Sequence, residues 1–306
     1  MKQKNKILIT GGSGLLAVNW ALAVRDQYSV VLGLHHRAVS LENVESRLID
    51  IESQDSLTAQ LEDVKPRVVI HTAGMTNVEE CEAEPGLARH VNVVLAENVA
   101  RVCDRLGVSL VHISTDHLFD GDLEMVDENH PVKPLNIYGK TKAEAELRVL
   151  DACSRALVVR TNFFGWGTSY RRSFSDVIVD SLRAGREVSL FEDVYYTPII
   201  IANLVSVVHE LVERGVGGVF HVTGDERISK YHFGLKVAEI LVLNGNIINA
   251  TKLKDRKDLV RRPLDMSLSN RKAAGLLERN LGGMNECIEG LRRQEQNGHS
   301  GEVRAL

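Results

Sequence analysis

The chain has 306 residues, enough for one large domain or two joined ones at about 150 residues each. Lys and Arg number 37 against 41 Asp and Glu, and a net charge of −4 lacks the basic footprint of a general nucleic-acid binder. At 44% hydrophobic and 25% charged, the composition is that of a folded globular chain rather than a disordered one.

Residues 1–6 are basic, but the apolar run that follows stops at Thr10-Gly11-Gly12, too short for the core of a secretion signal. Nowhere do about 18 apolar residues follow one another, so no membrane span is expected and the chain reads as cytoplasmic. Strands are expected at 7–10, 30–34, 48–51, 68–72, 110–114 and 157–160, with helical periodicity at 14–25, 87–106 and 137–150 between them. Pro85 and Asn136 stand at the starts of two of these helices. Such alternation reads as βαβ units, and the strand runs are apolar on both faces, as in a parallel sheet covered by helices on each side. The fold expected is α/β, a Rossmann-type doubly wound parallel sheet. Beyond residue 160 the pattern loosens into aromatic loop stretches around Phe163-Phe164-Gly165-Trp166 and Tyr195-Tyr196-Thr197-Pro198. Helices at 174–184, 199–214 and 230–243 and a strand at 219–223 complete it. Cys81, Cys103, Cys153 and Cys287 are scattered without the paired spacing of a zinc or redox site, so reduced thiols and no metal are expected.

Thr10-Gly11-Gly12-Ser13-Gly14-Leu15-Leu16-Ala17 follows the first strand and opens a helix. There backbone NH groups and the helix dipole can hold a pyrophosphate. Gly11 allows the turn and Gly14 a close approach of phosphate, with Ser13 and Leu15 beside them; Ala17 replaces the third glycine of the usual pattern. The second strand ends in Leu34-His35-His36-Arg37, with no carboxylate for a ribose hydroxyl. Arg37, with His36, offers donors suited to a 2′-phosphate, which favours NADP(H) over NAD(H); the alternative is a solvated basic turn. His35 and His36 lack a third ligand for a metal. Asp50 and Ile51, at the third strand's end, suit an adenine cap.

Tyr138-Gly139-Lys140-Thr141-Lys142 is the only Tyr-x-x-x-Lys in the chain. Residues four apart share a helix face, so the Lys142 ammonium can favour the Tyr138 phenolate and suit that phenol to proton transfer. Ser114, Thr115, Asp116 and His117 lie at the carboxyl end of the fifth strand, the edge where open α/β sheets bind ligands. A hydroxyl there can polarise a carbonyl.

The order of these pieces, with His71-Thr72-Ala73-Gly74-Met75-Thr76-Asn77-Val78, Ser114 to Gly121, Pro134 to Lys142, Arg160-Thr161, Thr197-Pro198 and Arg261-Arg262-Pro263, resembles the extended short-chain dehydrogenase/reductases, and within them the dTDP-4-dehydrorhamnose reductase family. The resemblance spans nearly the whole chain. It implies a catalytic triad of Thr115, Tyr138 and Lys142, with Ala73 and Gly74 at the nicotinamide side of the cofactor and Thr72 and Ser114 also binding the cofactor. Thr76, Val78, His117, Phe163 and Arg262 would face the substrate. His117 stands where the family usually has Tyr, and Phe163 where several members have Trp, which leaves the sugar open. Arg171, Arg172 and Arg262 are candidates for a substrate diphosphate.

The activity implied is NADPH-dependent reduction of the C4 ketone of a nucleotide-linked 4-keto-6-deoxy sugar, in deoxysugar biosynthesis. A 4,6-dehydratase is disfavoured because His117, not Glu, follows Thr115-Asp116. An epimerase using the same triad remains an alternative, as does a regulatory subunit resembling the methionine adenosyltransferase β subunit. The expected partition is an NADP(H)-binding domain at 1–165, with 199–224 returning to it. A substrate-binding lobe takes 166–198 and 225–292, and 293–306 forms a flexible tail. An apolar face between Val91 and Val102 suits either a homodimer contact or the core.

Overall fold

The computed structural model describes residues 4–306; of the basic start, residues 1–3 lie outside the described residues. The chain divides into two interleaved units. The first comprises Met1–Thr115, Asn136–Val159 and Val208–Phe220, and the second Asp116–Leu135, Arg160–Val207 and His221–Leu306.

In the first unit, β1 (Lys6–Thr10), α1 (Leu15–Val24), β2 (Ser29–Leu34), β3 (Val44–Leu48), α2 (Gln54–Val64) and β4 (Val68–His71) are followed by α3 (Val78–Ala83) and α4 (Pro85–Arg89). A π-helical turn (His90–Val94) then leads into α5 (Leu95–Leu106), β5 (Ser109–Ile113), α6 (Ile137–Ala152) and β6 (Leu157–Arg160). The central sheet has seven strands in the order β11-β6-β5-β4-β1-β2-β3, where β11 is Gly218–His221. The ladders linking β3, β2, β1, β4, β5 and β6 are all parallel. The order turns back at β1 and β4, whose carboxyl ends lie side by side with Thr10 opposite His71. That reversal is where an open α/β sheet opens a crevice for a ligand. Ile7, Leu8 and Ile9 are fully buried, each contributing about 1.5–3 kcal/mol by leaving water.

Two expectations change here. The third strand is Val44–Leu48, earlier than 48–51, because Asp50 turns the chain: its Oδ1 accepts from the Glu52 amide at 2.9 Å, and Ser53 then caps α2. The real β3 is an edge strand with exposed Glu45, and Arg47 bonded to Glu45 and Asp63, charges that discourage edge-to-edge pairing. The helix expected over 87–106 is interrupted by the π-helical turn. Its apolar face is core: Val93, Ala96, Val99, Ala100 and Val102 pack with Leu57, Leu61 and Val149. Helix α2 carried no expectation. Its mean composition is polar, but Leu57, Leu61 and Val64 fall at helical spacing and are buried, and Lys65 ends it in the left-handed region.

The second unit contains β7 (Phe163–Phe164), α7 (Phe174–Arg183), β8 (Val188–Phe191), β9 (Tyr195–Tyr196), β10 (Ile199–Ile200) and the start of α8 (Ile201–Glu213). Then come β12 (Ile228–Ser229), α9 (Lys230–Ile240), β13 (Ile248–Thr251), α10 (Arg271–Leu277), α11 (Met284–Gln296) and α12 (His299–Arg304). Its strands form small two-stranded pairs. Phe164 meets Phe233 edge-on at 5.0 Å, with Phe174 stacked on Phe233. Ser173 and Asp176 form a capping box at the start of α7.

The unit boundaries also differ from those expected. Residues 116–135 join the second unit because the loop pairs within it: the Val126 amide donates to Ser267 O at 3.2 Å and the Met125 amide to Ser267 Oγ at 2.8 Å. The stretch from residue 293, expected to be a flexible tail, is instead helical and packed. Val303 is fully buried, and Arg304 bonds Asp176 at 3.1 Å and Asp180 at 2.9 Å with its guanidinium over the Trp166 ring. Ionic anchoring of this kind leaves no apolar periodicity to read. All four cysteines are buried free thiols, and no helix among the described residues is long and apolar enough to cross a membrane.

Candidate active site

In the first unit, the turn after β1 is built by backbone geometry. Gly11 has φ of +68°, and a side chain there would meet Ala73 backbone at 2.8 Å. The Gly14 amide bonds Gly11 O at 2.8 Å, and Gly14 caps α1 with no side chain over the first helical NH groups. Gly12, which carried no expectation of its own, bonds Gly33 O of β2 at 2.9 Å, and a Cβ there would press on Leu32. Thr72 Oγ1 donates to Thr10 O at 2.7 Å, fixing the end of β4 against β1. His36 and Arg37 are exposed beyond β2, and the His35 and His36 rings lie 3.5 Å apart. Among the described residues no cluster of His, Cys, Asp or Glu is arranged to hold a metal.

Helix α6 begins at Asn136, whose side chain accepts from the Gly139 amide at 2.9 Å, while Glu82 accepts from the Ile137 amide at 3.0 Å. This places Tyr138 in the first turn and Lys142 in the second, both buried. The Lys142 ammonium donates to Ile113 O, the last residue of β5, at 2.7 Å. Thr115, two residues further, is 4% exposed. Burial lowers the Lys142 pKa to about 8, while the Glu146 carboxylate works in the opposite direction. The stacked imidazoles of His71 and His112 lie near the same ammonium, and burial keeps both neutral, His71 at about 3.

Ser114, expected at the cofactor, gives its hydroxyl to Glu146 Oε1 at 2.5 Å. Two further residues here escaped the sequence reading. Glu146 is one; Asn92, in the π-helical turn, is the other. Asn92 bonds the Met75 amide at 2.7 Å, Met75 O at 3.0 Å and Thr141 Oγ1 at 3.0 Å, tying the loop after β4 to α6. The only signal for Asn92 was an amide inside an apolar helical stripe. Thr76 in that loop is exposed, and Val78, the first residue of α3, is packed away.

The second unit brings half-buried His117, Arg262 and Lys230 to one polar cluster with buried Asp116 and Tyr196. Asn162 Nδ2 donates to Asp116 Oδ2 at 2.6 Å. The Lys230 ammonium lies 4.3 Å from the centre of the Tyr196 ring and 4.7 Å from that of Phe174. Burial pulls Lys230 down to about 8 and lowers His117, with Asp116 opposing both shifts. Lys230 was not anticipated; the signal was the capping serine before it, since Ser229 accepts from the His232 amide at 3.1 Å. Arg262 also lines a cavity of about 310 Å³ with Arg261, Arg256, Lys254 and Asp120. Phe163 is half-buried in β7, Arg171 is exposed, and Arg172 is ion-paired with Asp180 of α7.

Three comparisons bear on this arrangement. The family model described as the RmlD substrate binding domain matches residues 5–289. The probable low-salt glycan biosynthesis reductase Agl14 of Haloferax volcanii is 30% identical over 259 residues, 83% of this chain and 86% of that protein. The methionine adenosyltransferase 2 subunit beta of Xenopus laevis is 28% identical over 241 residues, 76% and 71% of the two chains. A crystal structure of a hypothetical dTDP-4-dehydrorhamnose reductase from Sulfolobus tokodaii superposes with a TM-score of 0.80 at 28% identity, covering 93% of this chain and 98% of that one. The chain belongs to the RmlD substrate binding domain family, within the extended short-chain dehydrogenase/reductases.

Proposed function

We propose that the chain uses NADPH to reduce the C4 ketone of a nucleotide-linked 4-keto-6-deoxy sugar. The observation that carries this reading is the placement of Tyr138 and Lys142 on adjacent turns of one capped helix, with the Lys142 ammonium 2.7 Å from the strand end that leads into Thr115. The turn after β1 fits a dinucleotide, because a side chain at Gly11 would collide with Ala73 and Gly14 leaves the α1 amides uncovered. Gly11, Ser13, Gly14 and Leu15 would hold the pyrophosphate, His36 and Arg37 the 2′-phosphate, and Asp50 and Ile51 the adenine. Thr72, Ala73, Gly74 and Lys142 would hold the nicotinamide end.

When bound, NADPH supplies the hydride. Tyr138 gives its phenolic proton to the oxygen of the carbonyl being reduced, and Thr115 donates a hydrogen bond to that oxygen as charge develops on it. Lys142 stabilises the phenolate that remains. Thr76, Val78, His117 and Phe163 are assigned to the sugar. Arg262 is assigned to the diphosphate, in keeping with the basic lining of its cavity.

The test is NADPH oxidation with a panel of dTDP-, GDP- and UDP-linked 4-keto-6-deoxy sugars, beside Tyr138→Phe and with NADH for comparison. Turnover on one ketone, lost in Tyr138→Phe, supports the reductase. Tight NADPH binding without turnover on any of them favours a second reading, a cofactor-binding regulatory subunit, which the identity to the methionine adenosyltransferase subunit supports.

A further inference from the structure

Glu146 is a buried carboxylate with 4% of its surface exposed, four residues beyond Lys142 on the same face of α6. It accepts from the Ser114 hydroxyl at 2.5 Å, and Ser114 lies between Ile113, which accepts from Lys142, and Thr115. The Ser114 amide in turn bonds Val159 O of β6 at 2.7 Å. A charged group is kept in such a place only when it is paired and hydrogen-bonded. Two bonds therefore join α6 to the end of β5: Lys142 to Ile113 O and Ser114 to Glu146. Together they bracket the segment that carries Thr115 onto the helix that carries Tyr138.

We propose that Glu146 is a positioning residue for the reduction, clamping the end of β5 to α6 and acting as the buried countercharge of Lys142. The proposal rests on the reductase reading for its kinetic consequence, but its structural content stands in the protein without cofactor. The groups acting on Lys142 are Glu146 on α6, His71 on β4 and His112 on β5, and Tyr138 precedes it by four residues on the same helix. Above pH 7 both imidazoles are neutral, so Glu146 is the anion among these that favours the ammonium.

The experiment compares Glu146→Gln, Glu146→Asp and the surface control Glu144→Gln, which removes the same charge from α6 where Glu144 pairs with exposed Arg89. Glu146→Gln keeps the volume and a hydrogen-bonding oxygen while deleting the charge. It is expected to lower kcat at pH 8 about 10-fold, with KM little changed, and to move the alkaline fall of kcat downward by about one pH unit. Glu146→Asp should restore that alkaline limb in part, and Glu144→Gln should leave it in place. Independently of activity, the pH at which stability of the cofactor-free protein begins to rise on the alkaline side should fall in Glu146→Gln. That shift should vanish in a Lys142→Met background.

A loss of kcat equal at every pH, with an unmoved stability profile and additive effects of Glu146→Gln and Lys142→Met, would overturn the proposal in favour of plain packing. A wild-type protein with no turnover overturns the reductase reading instead, and the stability arm still decides the role of Glu146.

Discussion

Lys142 is buried and Lys230 half-buried, and burial brings both ammonium groups to a pKa of about 8, yet they are accommodated by different means. Lys142 has its carboxylate on its own helix, four residues on, and a carbonyl at the end of the neighbouring strand. Lys230 rests over two aromatic rings, with the charge of Asp116 arriving from more than a hundred residues away in sequence. The first arrangement follows from helix spacing and is built with the secondary structure. The second exists only once separate loops of its unit have assembled, so its stability and its specificity are bound up with tertiary packing.

Mutations can break or sharpen this contrast. The largest effect is expected from Tyr138→Phe, which should lower kcat/KM about 10²–10⁴-fold, roughly 3–5 kcal/mol, as general-acid removal does. Urea unfolding should be little altered, since only a hydroxyl is lost. Next comes Asp116→Asn, which strips Lys230 of its buried countercharge and should cost about 3 kcal/mol in urea denaturation. The same change in a Lys230→Met background should cost far less; additive losses would mean that the two are not coupled.

A third expectation concerns pH. Because both lysines have folded pKa values below the unfolded value of about 10.4, the unfolded chain binds more protons between about pH 8 and 10.4. Stability should therefore rise through that window, by a few kcal/mol in all before other groups intervene. Lys142→Met and Lys230→Met should each flatten the rise in denaturation midpoints. On the acid side, His71 and His221 are held at about 3, so their contribution to stability is lost as pH falls from about 6.5 toward 3. The smallest effect belongs to the exposed Arg37: Arg37→Ala should weaken NADPH binding about 10-fold and leave NADH unchanged in a fluorescence titration.

The same contrast explains what could be read in advance. The sheet strands β1, β2, β4, β5 and β6 showed as apolar runs because burial on both faces leaves a local trace. Tyr138 and Lys142 showed because four-residue spacing on a capped helix is itself a local geometry. Strand β3 was displaced because an edge strand need not be apolar, and Asp50 interrupts the run that imitated one. Lys230 was silent because its partners meet it only in the folded chain, and Glu146, though four residues from Lys142 on the same helix, went unread because its partner Ser114 reaches it only there. Arg304 was silent for the same reason, its partners Asp176 and Asp180 lying more than a hundred residues upstream.

The π-helical turn at His90–Val94 gives a different kind of constraint. An α-helix advances by about 100° per residue, so a turn that holds one residue more resets the phase of everything after it. Asn92 can thereby face Met75 and Thr141 while Val99, Val102 and Cys103 of α5 face the core. A single-codon deletion in this stretch is therefore the one change of length it can absorb: the turn would close from π to α and leave Val99, Val102 and Cys103 on the core face, while Asn92 would be withdrawn from Met75 and Thr141.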